Sequence, residues 1–269
     1  MEKPILFNTE MVKAILEGRK TQTRRIVKGL EHLNVYRAEP SEEAYDTCAE
    51  WDFFYGGRLA DGGMYDAIES IKAPCAIGDM LWVRETWRPA KGVMHTYING
   101  EVVESSDWHD GFEYRTGGYS FPDGFEESND MYHLSEIRSA GNWHPSIHMP
   151  REAARLFLKV KDVRIEHLKD ITDEQALEEG MPDDGDYPIN PIYCQKCKGE
   201  GTHDAVHPES LGHMEVDCEE CNTPTKRFAH LWNSTLKPVE IDRFGWAANP
   251  WIWVIEFEKC EKPKGWCGA

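Results

Sequence analysis

The sequence predicts an α+β protein that is rich in strands and has short flanking helices. Apolar and polar residues alternate over positions 156–168, as they do in a strand with one buried face. Residues 251–257 form a nearly continuous apolar run after Pro250, which is typical of a buried strand. Apolar residues at positions 11, 12, 15 and 16 share one face of a helix. The chain is therefore expected to build its core mainly from sheets.

The N-terminal strand and helix have recognisable ends. Residues 5–7 predict a short strand, and Asn8 or Thr9 can cap the helix that follows, because a side-chain oxygen there accepts a free backbone N–H. Gly18 ends the helix, since glycine adopts the left-handed conformation without a Cβ clash. The residues after Gly18 are therefore expected on a turn and a strand.

The stretch 18–28 is strongly basic in an acidic protein. Five of its eleven residues are Lys or Arg, whereas the formal net charge of the chain is −18. The positive charge is local, because residues 29–150 carry a net charge of −14. Lys20, Thr23 and Arg25 leave the end of a helix, where side chains can converge on a ligand. A solvated, charged helix exit is the alternative for a basic cluster alone.

Two segments with different patterns follow the basic stretch. Residues 29–75 have no clean period, and their glycines predict a looped insertion with a short helix around residues 65–71. Residues 80–87 predict a strand buried on one face after the turn at Gly78 and Asp79. If the end of this strand lies near a binding pocket, Arg84, Glu85 and Trp87 are candidates to contact the ligand. The alternative is a surface ion pair and a core tryptophan.

Residues 88–142 are acidic, contain many aromatic side chains and show no clear period. A loop this long is usually a lid, a binding surface or disordered, and we expect a partly ordered lid. Packing of the aromatic side chains against the core is the alternative. In the next segment, residues 143–151, two prolines stiffen the chain while Ser146, His148 and Arg151 supply polar groups. His148 can titrate near neutral pH or bind a base, or it can be structural.

A capping box predicts the start of a second helix. Thr172 is expected to be the N-cap and Gln175 the N3 residue, and Gly180 ends the helix. Glu179 then lies in the last turn, where the helix dipole destabilises a carboxylate unless a cation pairs with it or it takes up a proton. Glu179 is therefore a candidate for a shifted pKa, and an exposed terminal glutamate is the alternative. A third helix is predicted over residues 226–234.

Four of the eight cysteines have the spacing of a metal site. Two Cys-x2-Cys pairs are separated by twenty residues, and this arrangement predicts one structural zinc ion held by four thiolates. Two disulfides, or a histidine in place of one cysteine, are the alternatives. The predicted ligands are Cys194, Cys197, Cys218 and Cys221, the possible substitutes are His203, His207 and His213, and the remaining cysteines, Cys48, Cys75, Cys260 and Cys267, are expected to be ordinary thiols.

Composition and charge limit the possible partners. No apolar run approaches the ~20 residues of a membrane-spanning helix, and the first seven residues are too short and polar for a signal peptide, so we expect a cytoplasmic protein without a membrane partner. The excess of negative charge disfavours binding of long duplex nucleic acid. Residues 1–28 carry a net charge of +4, which suits a nucleoside or a short single-stranded RNA.

The motifs resemble those of a known family. Residues 18–25 resemble the signature loop of the ASCH domain, a small β-barrel related to the PUA RNA-binding fold. Three further stretches stand in the order of that family, at residues 78–87, 171–181 and 251–257. Residues 143–151, together with the closing strand, resemble the larger ASCH proteins encoded by phages and prophages.

The resemblance implies a domain organisation. A PUA-like (ASCH) mixed β-barrel would occupy residues 1–181 and 226–269, with the last strand next to the first. Acidic, aromatic insertions would lie at about 29–75 and 88–142, and residues 182–225 would be an inserted zinc-knuckle module, because so short a segment rarely folds without a metal or another staple.

The resemblance also implies an activity and the residues for it. Some small ASCH proteins are amidohydrolases that remove the acetyl group from N(4)-acetylcytidine with a lysine, a threonine and a glutamate, which correspond by position to Lys20, Thr23 and Glu179. Thr23 would be the nucleophile and Lys20 its base, although pairing with Glu179 would raise the pKa of Lys20 and oppose that role. Arg24 or Arg25 would stabilise the oxyanion. The remaining expected substrate-binding residues are Arg84, Glu85, Trp87, Ser146, His148 and Arg151, with Glu85 a second acidic candidate.

Three functions remain open at the level of sequence. The first is hydrolysis of an acylated nucleoside. The second is a non-catalytic RNA-binding module or a nuclease, in which Lys20, Arg24 and Arg25 contact phosphates. The third is an acidic phage accessory protein that binds a host protein through its acidic, aromatic face.

Overall fold

The structure, a computed structural model, describes residues 1–58, 63–98, 101–105, 108–121, 132–139, 141–183, 189–207, 212–263 and 266. Within these ranges the protein is α+β, with most residues in several sheets and few in helices. The helices are α1 (Thr9–Leu16), α2 (Asp173–Glu178), α3 (Pro224–Ser234) and α4 (Ile241–Phe244). The strands are β1 (Glu2–Leu6), β2 (Gln22–Ile26), β3 (Val35–Pro40), β4 (Glu50–Arg58), β5 (Met64–Lys72), β6 (Met80–Arg84), β7 (Trp87–Ile98), β8 (Glu101–Ser105), β9 (His109–Tyr114), β10 (Tyr119–Ser120), β11 (Tyr132–Ser139), β12 (Phe157–His167), β13 (Thr202–Val206), β14 (His213–Asp217) and β15 (Trp251–Cys260).

The chain forms two compact units. Unit 1 contains Met1–Leu16, Asp79–Lys159 and Glu258–Ala269, and unit 2 contains Glu17–Gly78 and Val160–Phe257. No helix in the described ranges is long and apolar enough to cross a membrane.

Unit 1 contains two groups of strands. β1 runs parallel to β6, and β6 pairs antiparallel with the start of β12. The second group is an antiparallel sheet in the order β10, β9, β7 and β11, with β8 also paired to β7. A core cluster that includes Tyr114, Phe157 and Trp266 is buried in this unit.

The second sheet of unit 1 replaces much of the predicted lid. The described part of residues 88–142 forms strands β7 to β11, and Tyr114 and Phe121 are buried. For these two residues, the alternative that aromatic side chains pack in the core is therefore correct. Residues 122–131 lie outside the described ranges. These strands could not be predicted from the pattern of apolar residues. Bulges shift the register between β7 and β11 and between β7 and β8, and each bulge breaks the alternation of apolar residues.

Unit 2 contains the end of β12, most of β15 and all of β2, in that order across the sheet. β15 pairs antiparallel with β2, and Trp253 lies opposite Arg25. A three-stranded antiparallel sheet of β3, β4 and β5 packs Trp51 and Phe53 edge-on against Trp253. These tryptophan and phenylalanine rings therefore join the two sheets of the unit.

The helix predicted around residues 65–71 is wrong. These residues belong to β5, which pairs along its whole length with β4. Tyr65, Ile68 and Ile71 have helical spacing, but Tyr65 and Ile68 are exposed rather than packed on a core. Backbone hydrogen bonds to the neighbouring strand decide the structure here, and they override the local periodicity.

The helix ends follow the predicted capping residues. The Asn8 side chain accepts the N–H of Met11 at 2.8 Å and starts α1. Thr172 and Gln175 form the predicted capping box of α2, and Gly180 follows the helix with a φ of 91°. In α3, which begins two residues earlier than predicted, the side chains of Phe228, Leu231 and Trp232 are buried as expected.

The predicted closed barrel is not present among the described strands, because none of their sheets closes. The expected neighbour of the last strand is also wrong. β15 pairs with β2, whereas β1 pairs with β6. The α+β class is confirmed.

Candidate functional site

Unit 2 contains a buried polar cluster built from β2 and the end of α2. Lys20, Gln22, Thr23, Arg24 and Glu179 are each at most 3% exposed. The backbones of Lys20 and Glu179 form an isolated bridge. The first segment after α1 therefore lies along the C-terminal end of α2, and the predicted lysine and glutamate meet there.

Lys20 donates its ammonium hydrogens to acceptors on both segments. Nζ lies 2.5 Å from Glu179 Oε2, 2.9 Å from the Glu179 carbonyl and 2.8 Å from the Gln22 carbonyl. Burial lowers the pKa of Lys20 to about 8, although the Glu179 carboxylate raises it, and the charges of Arg25 and Arg24 lower it further. Burial and like charge outweigh the ion pair, so the pKa of Lys20 falls despite the pairing with Glu179, and the ammonium form still predominates at pH 7.

Glu179 ends α2 with its carboxylate paired to two cations. Oε2 receives the Lys20 ammonium, and Oε1 accepts a hydrogen bond from Arg24 Nη1 at 3.2 Å. These cations offset the repulsion between a carboxylate and the negative end of a helix dipole. The alternative of an exposed terminal glutamate is excluded, because the Glu179 side chain is 4% exposed.

Arg24 contacts side chains of several elements around the cluster. Its guanidinium donates to Gln22 and Gln175, both at 3.1 Å, and lies 3.5 Å from a Glu166 oxygen of β12. The buried Nε–H of Arg24 has no hydrogen-bond partner among the described residues. This arginine therefore holds the site together, and one of its donors remains available to an acceptor.

Thr23 and Arg25 alternate with Gln22 and Arg24 along β2. The charge of Arg25 acts on both Lys20 and Glu179, so Arg25 lies near that ion pair. Arg25 Nη1 donates to Thr23 Oγ1 at 2.8 Å and to the Arg24 carbonyl at 2.9 Å. Burial lowers the pKa of Arg25, and the negative charge of Glu179 opposes this shift. The Thr23 hydroxyl therefore has a cation beside it that would stabilise an alkoxide.

The four predicted metal-ligating cysteines form a second cluster in unit 2. Their sulfur atoms all lie within 4.8 Å of one another, and all four side chains are buried. The Cys194 and Cys218 sulfurs are 3.7 Å apart, and those of Cys197 and Cys221 are 3.5 Å apart. A tetrahedron with metal–sulfur bonds of about 2.3 Å has edges of about 3.8 Å, so the four thiols could hold one metal ion.

The four cysteines differ in their environment, because burial raises the pKa of Cys194 whereas the backbone favours the thiolate of Cys197. Burial raises the pKa of Cys197, but the N–H groups of Gly201 and Gly199 and the Cys221 side chain outweigh burial and lower the pKa to about 7. Gly199 has a φ of 88°, and a Cβ there would lie 2.0 Å from the Ile189 carbonyl oxygen. The tight glycine turn thus brings N–H groups to the sulfur.

The four clustered cysteines form no disulfide bonds, because their sulfur atoms are separated by far more than the ~2.05 Å of an S–S bond. The cluster contains four sulfur atoms, so His203, His207 and His213 are not members of it. Cys48, Cys75 and Cys260 also form no disulfide bond among the described residues, and Cys267 lies outside those residues.

The other predicted binding residues belong to unit 1. Glu85 is 1% exposed, and its carboxylate is held by Arg155 at 2.9 and 3.0 Å and by Thr116 at 2.5 Å. Arg84 donates through Nη2 to the Ile147 carbonyl instead of pairing with Glu85. The expected Arg84–Glu85 surface pair is therefore replaced by a buried pair with Arg155.

Trp87 stacks on a histidine that the sequence did not single out. The ring centroids of Trp87 and His144 are 4.9 Å apart with an interplanar angle of 26°. Ser146 and His148 lie in a short 3-10 turn, and His148 is exposed. Arg151 lies over the Trp266 ring at 3.7 Å. The Arg84 Nε–H and the Trp87 Nε1–H are buried and have no hydrogen-bond partner among the described residues.

Sequence reasoning missed Gln22, Arg155 and Arg227, which are charged or polar and at least partly buried. A single arginine in a sequence gives no signal of burial, because its partner lies far away along the chain. Gln22 stands beside the predicted motif and was the one residue that could have been found.

No family model, curated protein or solved structure matches this chain. The fold and the two clusters of unit 2 define a strand-rich α+β protein with a four-cysteine group that could bind a metal ion and a buried lysine–glutamate pair. The function is therefore inferred from the chemistry of these groups.

Proposed function

We propose that the chain is an ASCH-related protein that binds a nucleoside or a short single-stranded RNA and hydrolyses an acyl group from its base. Lys20, Thr23 and Glu179 carry the reaction in this proposal. The family resemblance of the motifs supports the substrate class. The chemistry of the Lys20–Glu179 cluster supports the reaction.

The observation that carries the proposal is the state of Lys20. Its Nζ is buried against Glu179 and has a pKa of about 8, so about a tenth of the side chains are neutral at pH 7. A lysine at its ordinary pKa of 10.5 would be almost entirely protonated. A general base works best when its pKa lies near the operating pH.

The reaction needs a nucleophile, a base and a group that stabilises negative charge. Neutral Lys20 takes the proton as the Thr23 hydroxyl attacks the acyl carbonyl, and Arg25 stabilises the oxygen through its charge. The exocyclic amine of the nucleobase leaves with the proton that Lys20 returns to it. Water then hydrolyses the acyl ester on Thr23 and releases the carboxylic acid. Glu179 holds Lys20 in place through its carboxylate and its carbonyl.

Two unpaired donors in unit 1 support ligand binding by the other predicted residues. Arg84 Nε and Trp87 Nε1 are buried without a partner in the described part of the chain. A buried unsatisfied donor costs about 1–3 kcal/mol, which a ligand acceptor would recover. We propose that unit 1 by itself binds a carbonyl or phosphate oxygen, which accepts from these groups.

We further propose that the four cysteines bind one structural zinc ion. A site with four thiolates is closed to water, so zinc would stabilise the fold of residues 182–225 and take no part in the reaction. A reducing compartment keeps cysteines available as metal ligands, so the proposed site is consistent with the cytoplasmic location expected from the sequence.

The first experiment measures release of cytidine from N(4)-acetylcytidine, with a panel of other acylated nucleosides alongside. Wild type is compared with Lys20→Met, Thr23→Val and Glu179→Gln. We expect each variant to lose at least about a hundredfold in kcat/KM, because the three variants remove the base, the nucleophile and the carboxylate that holds the base in place. Glu174→Gln, an exposed change on α2, is the matched control and should retain full activity.

The variants also separate two forms of the reaction. Activity that survives in Thr23→Val but not in Lys20→Met would assign the attack to a water molecule instead of Thr23. An absence of turnover on every member of the panel would contradict the hydrolase proposal.

Binding without chemistry is a second candidate, and the Arg25–Thr23 contact favours it. A hydroxyl already hydrogen-bonded by a guanidinium can position a ligand and need not attack it. In that case Arg25→Gln should weaken RNA binding at least about tenfold, because a charge-assisted contact is lost. A stable host-protein partner, with no effect of changes in residues 18–28, would instead support the acidic accessory protein.

A further inference from the structure

Arg227 connects the four-cysteine cluster to the chain that follows α2. Its side chain is 1% exposed, Nε donates to the Cys221 carbonyl at 2.8 Å, and Nη1 donates to the Pro182 carbonyl at 2.7 Å. Cys221 belongs to the cluster, and Pro182 follows Glu179 by three residues. Because one guanidinium donates to both carbonyls, it fixes the distance between the two segments.

The helix that carries Arg227 holds the backbone beside the cluster at two further points. Lys226 Nζ donates to the Glu219 carbonyl at 2.8 Å, and His230 Nε2 lies 3.2 Å from the Glu220 carbonyl. With Arg227, side chains of α3 thus contact three successive carbonyls, at positions 219 to 221. The position of this cysteine pair is therefore tied to α3.

The same helix contacts both elements of the Lys20–Glu179 cluster. The N–H of Thr225 donates to Asp173, in the first turn of α2, at 2.9 Å. The ring of Phe228 lies 5.8 Å from the Arg24 guanidinium of β2. A continuous set of contacts therefore runs from Cys221 through α3 to α2 and to Arg24, which pairs with Glu179.

We propose that Arg227 is a positioning residue through which a metal ion at the four cysteines holds the end of α2, and with it Glu179, against Lys20. The inference rests on the metal proposed above and does not depend on hydrolysis. Residues 182–225 are too few to hold a fold by apolar burial alone. Without the metal ion, the Cys221 carbonyl is no longer held in position. Arg227 then loses one of its two backbone hydrogen bonds.

Hydrogen exchange of the full-length protein tests the coupling. The reporters are the amides of Glu179, Gly180 and Met181, which donate to carbonyls within α2. Bound zinc is removed with a chelator and then restored with zinc ions. We expect about tenfold or faster exchange at the reporters without zinc, and recovery with it. The β4–β5 hairpin is the internal reference and should not change.

Two neighbouring side chains provide the matched variants. Arg227→Met keeps much of the side-chain volume but removes the donors to Pro182 and Cys221, so its α2 amides should exchange fast with or without zinc. Lys226→Met also loses contacts to the cysteine segment, but it leaves the link to Pro182 intact and should behave as wild type. Amine labelling of Lys20 should follow the α2 amides in every sample.

The outcomes separate this inference from the others. If zinc binds at one ion per chain and its removal leaves the α2 amides and Lys20 labelling unchanged, the coupling is wrong. If the purified protein binds no zinc, both the metal proposal and the coupling are wrong. If Arg227→Met loses the β4–β5 reference protection, that variant has unfolded and the wild-type comparison with and without zinc decides.

Discussion

At the residue scale, Lys20 shows burial and ion pairing acting in opposite directions. The Glu179 carboxylate raises the pKa of Lys20, whereas burial lowers it more strongly and two nearby arginines add to that effect. A single carboxylate shared between Lys20 and Arg24 cannot neutralise both cations. The lysine is therefore the group that can lose its charge at the smallest cost, because arginine stays protonated at all ordinary pH values.

The pH dependence of hydrolysis should report this lysine. The neutral form is the active base, so kcat/KM should rise with pH, pass its midpoint near the Lys20 pKa of about 8 and level off above it. The measurement is kcat/KM from pH 6 to 10 on the acylated nucleoside. Lys20→Arg keeps the charge and cannot deprotonate, so it should lack the rise. A profile that falls over this range would contradict a base role.

Removing the negative partner should destabilise the fold. Glu179→Gln leaves Lys20 and Arg24 buried without their shared carboxylate, and breaking a buried pair in this way costs about 3–5 kcal/mol. The free energy of unfolding in urea measures the effect at pH 7. Glu174→Gln on the exposed face of α2 should change it by less than about 0.5 kcal/mol. Equal free energies of unfolding for the two variants would show that the Glu179 ion pairs contribute nothing to the stability of the fold.

Sequence reasoning could identify the local residues of the site but not the distant ones. Lys20 stands in a basic motif and Glu179 at a helix end, and both positions follow from nearby residues. The ion pair between Lys20 and Glu179 is a contact between positions 159 residues apart, which no local pattern predicts. Arg155 and Arg227 give no local signal, because Glu85 and the Pro182 carbonyl lie far from them in sequence.

At the element scale, α1 and α2 were predicted because their ends carry chemical signals, whereas the helix predicted around residues 65–71 was wrong and α4 was not predicted. Asn8, Thr172 and Gly180 mark ends with side-chain acceptors or a left-handed conformation, and the structure has the helix ends there. Strands depend on a partner. The sequence of β5 has helical spacing, and only the ladder with β4 makes it a strand.

The glycine turn of the cysteine segment gives a prediction for this element. Gly199→Ala should lower zinc affinity at least about tenfold, because a Cβ would lie 2.0 Å from the Ile189 carbonyl oxygen and the backbone must move away from Cys197. Competition with a zinc chelator, combined with metal analysis, measures the change. The expected content of the wild type is one zinc ion per chain.

Gly117→Ala is the matched control for this change. Gly117 also has a positive φ, of 97°, but nothing lies within 4 Å of an added Cβ. It should therefore lose about 1–2 kcal/mol of stability from backbone strain and no zinc affinity. Equal loss of zinc in both variants would assign the effect to general destabilisation.

At the scale of the whole molecule, charge limits the ligand. The net charge of −18 repels a long phosphate backbone, so affinity should come from a few contacts in the basic segment. Binding of a short single-stranded RNA should weaken with salt with a slope of about −0.7 to −1.4 in log affinity against log salt, as for one or two phosphates. Fluorescence anisotropy from 50 to 300 mM salt measures it. Tight duplex binding with a steep slope would contradict this ligand class.

The pairing of β2 with β15 also orders events during protein synthesis. β2 ends at Ile26, yet the strand that lies opposite it begins at Trp251. Closing so long a loop is slow compared with local folding. A ribosome must therefore synthesise the chain through residues 251–260 before β2 can pair with β15. Until then the nascent chain carries its basic segment without one side of the sheet that holds the site.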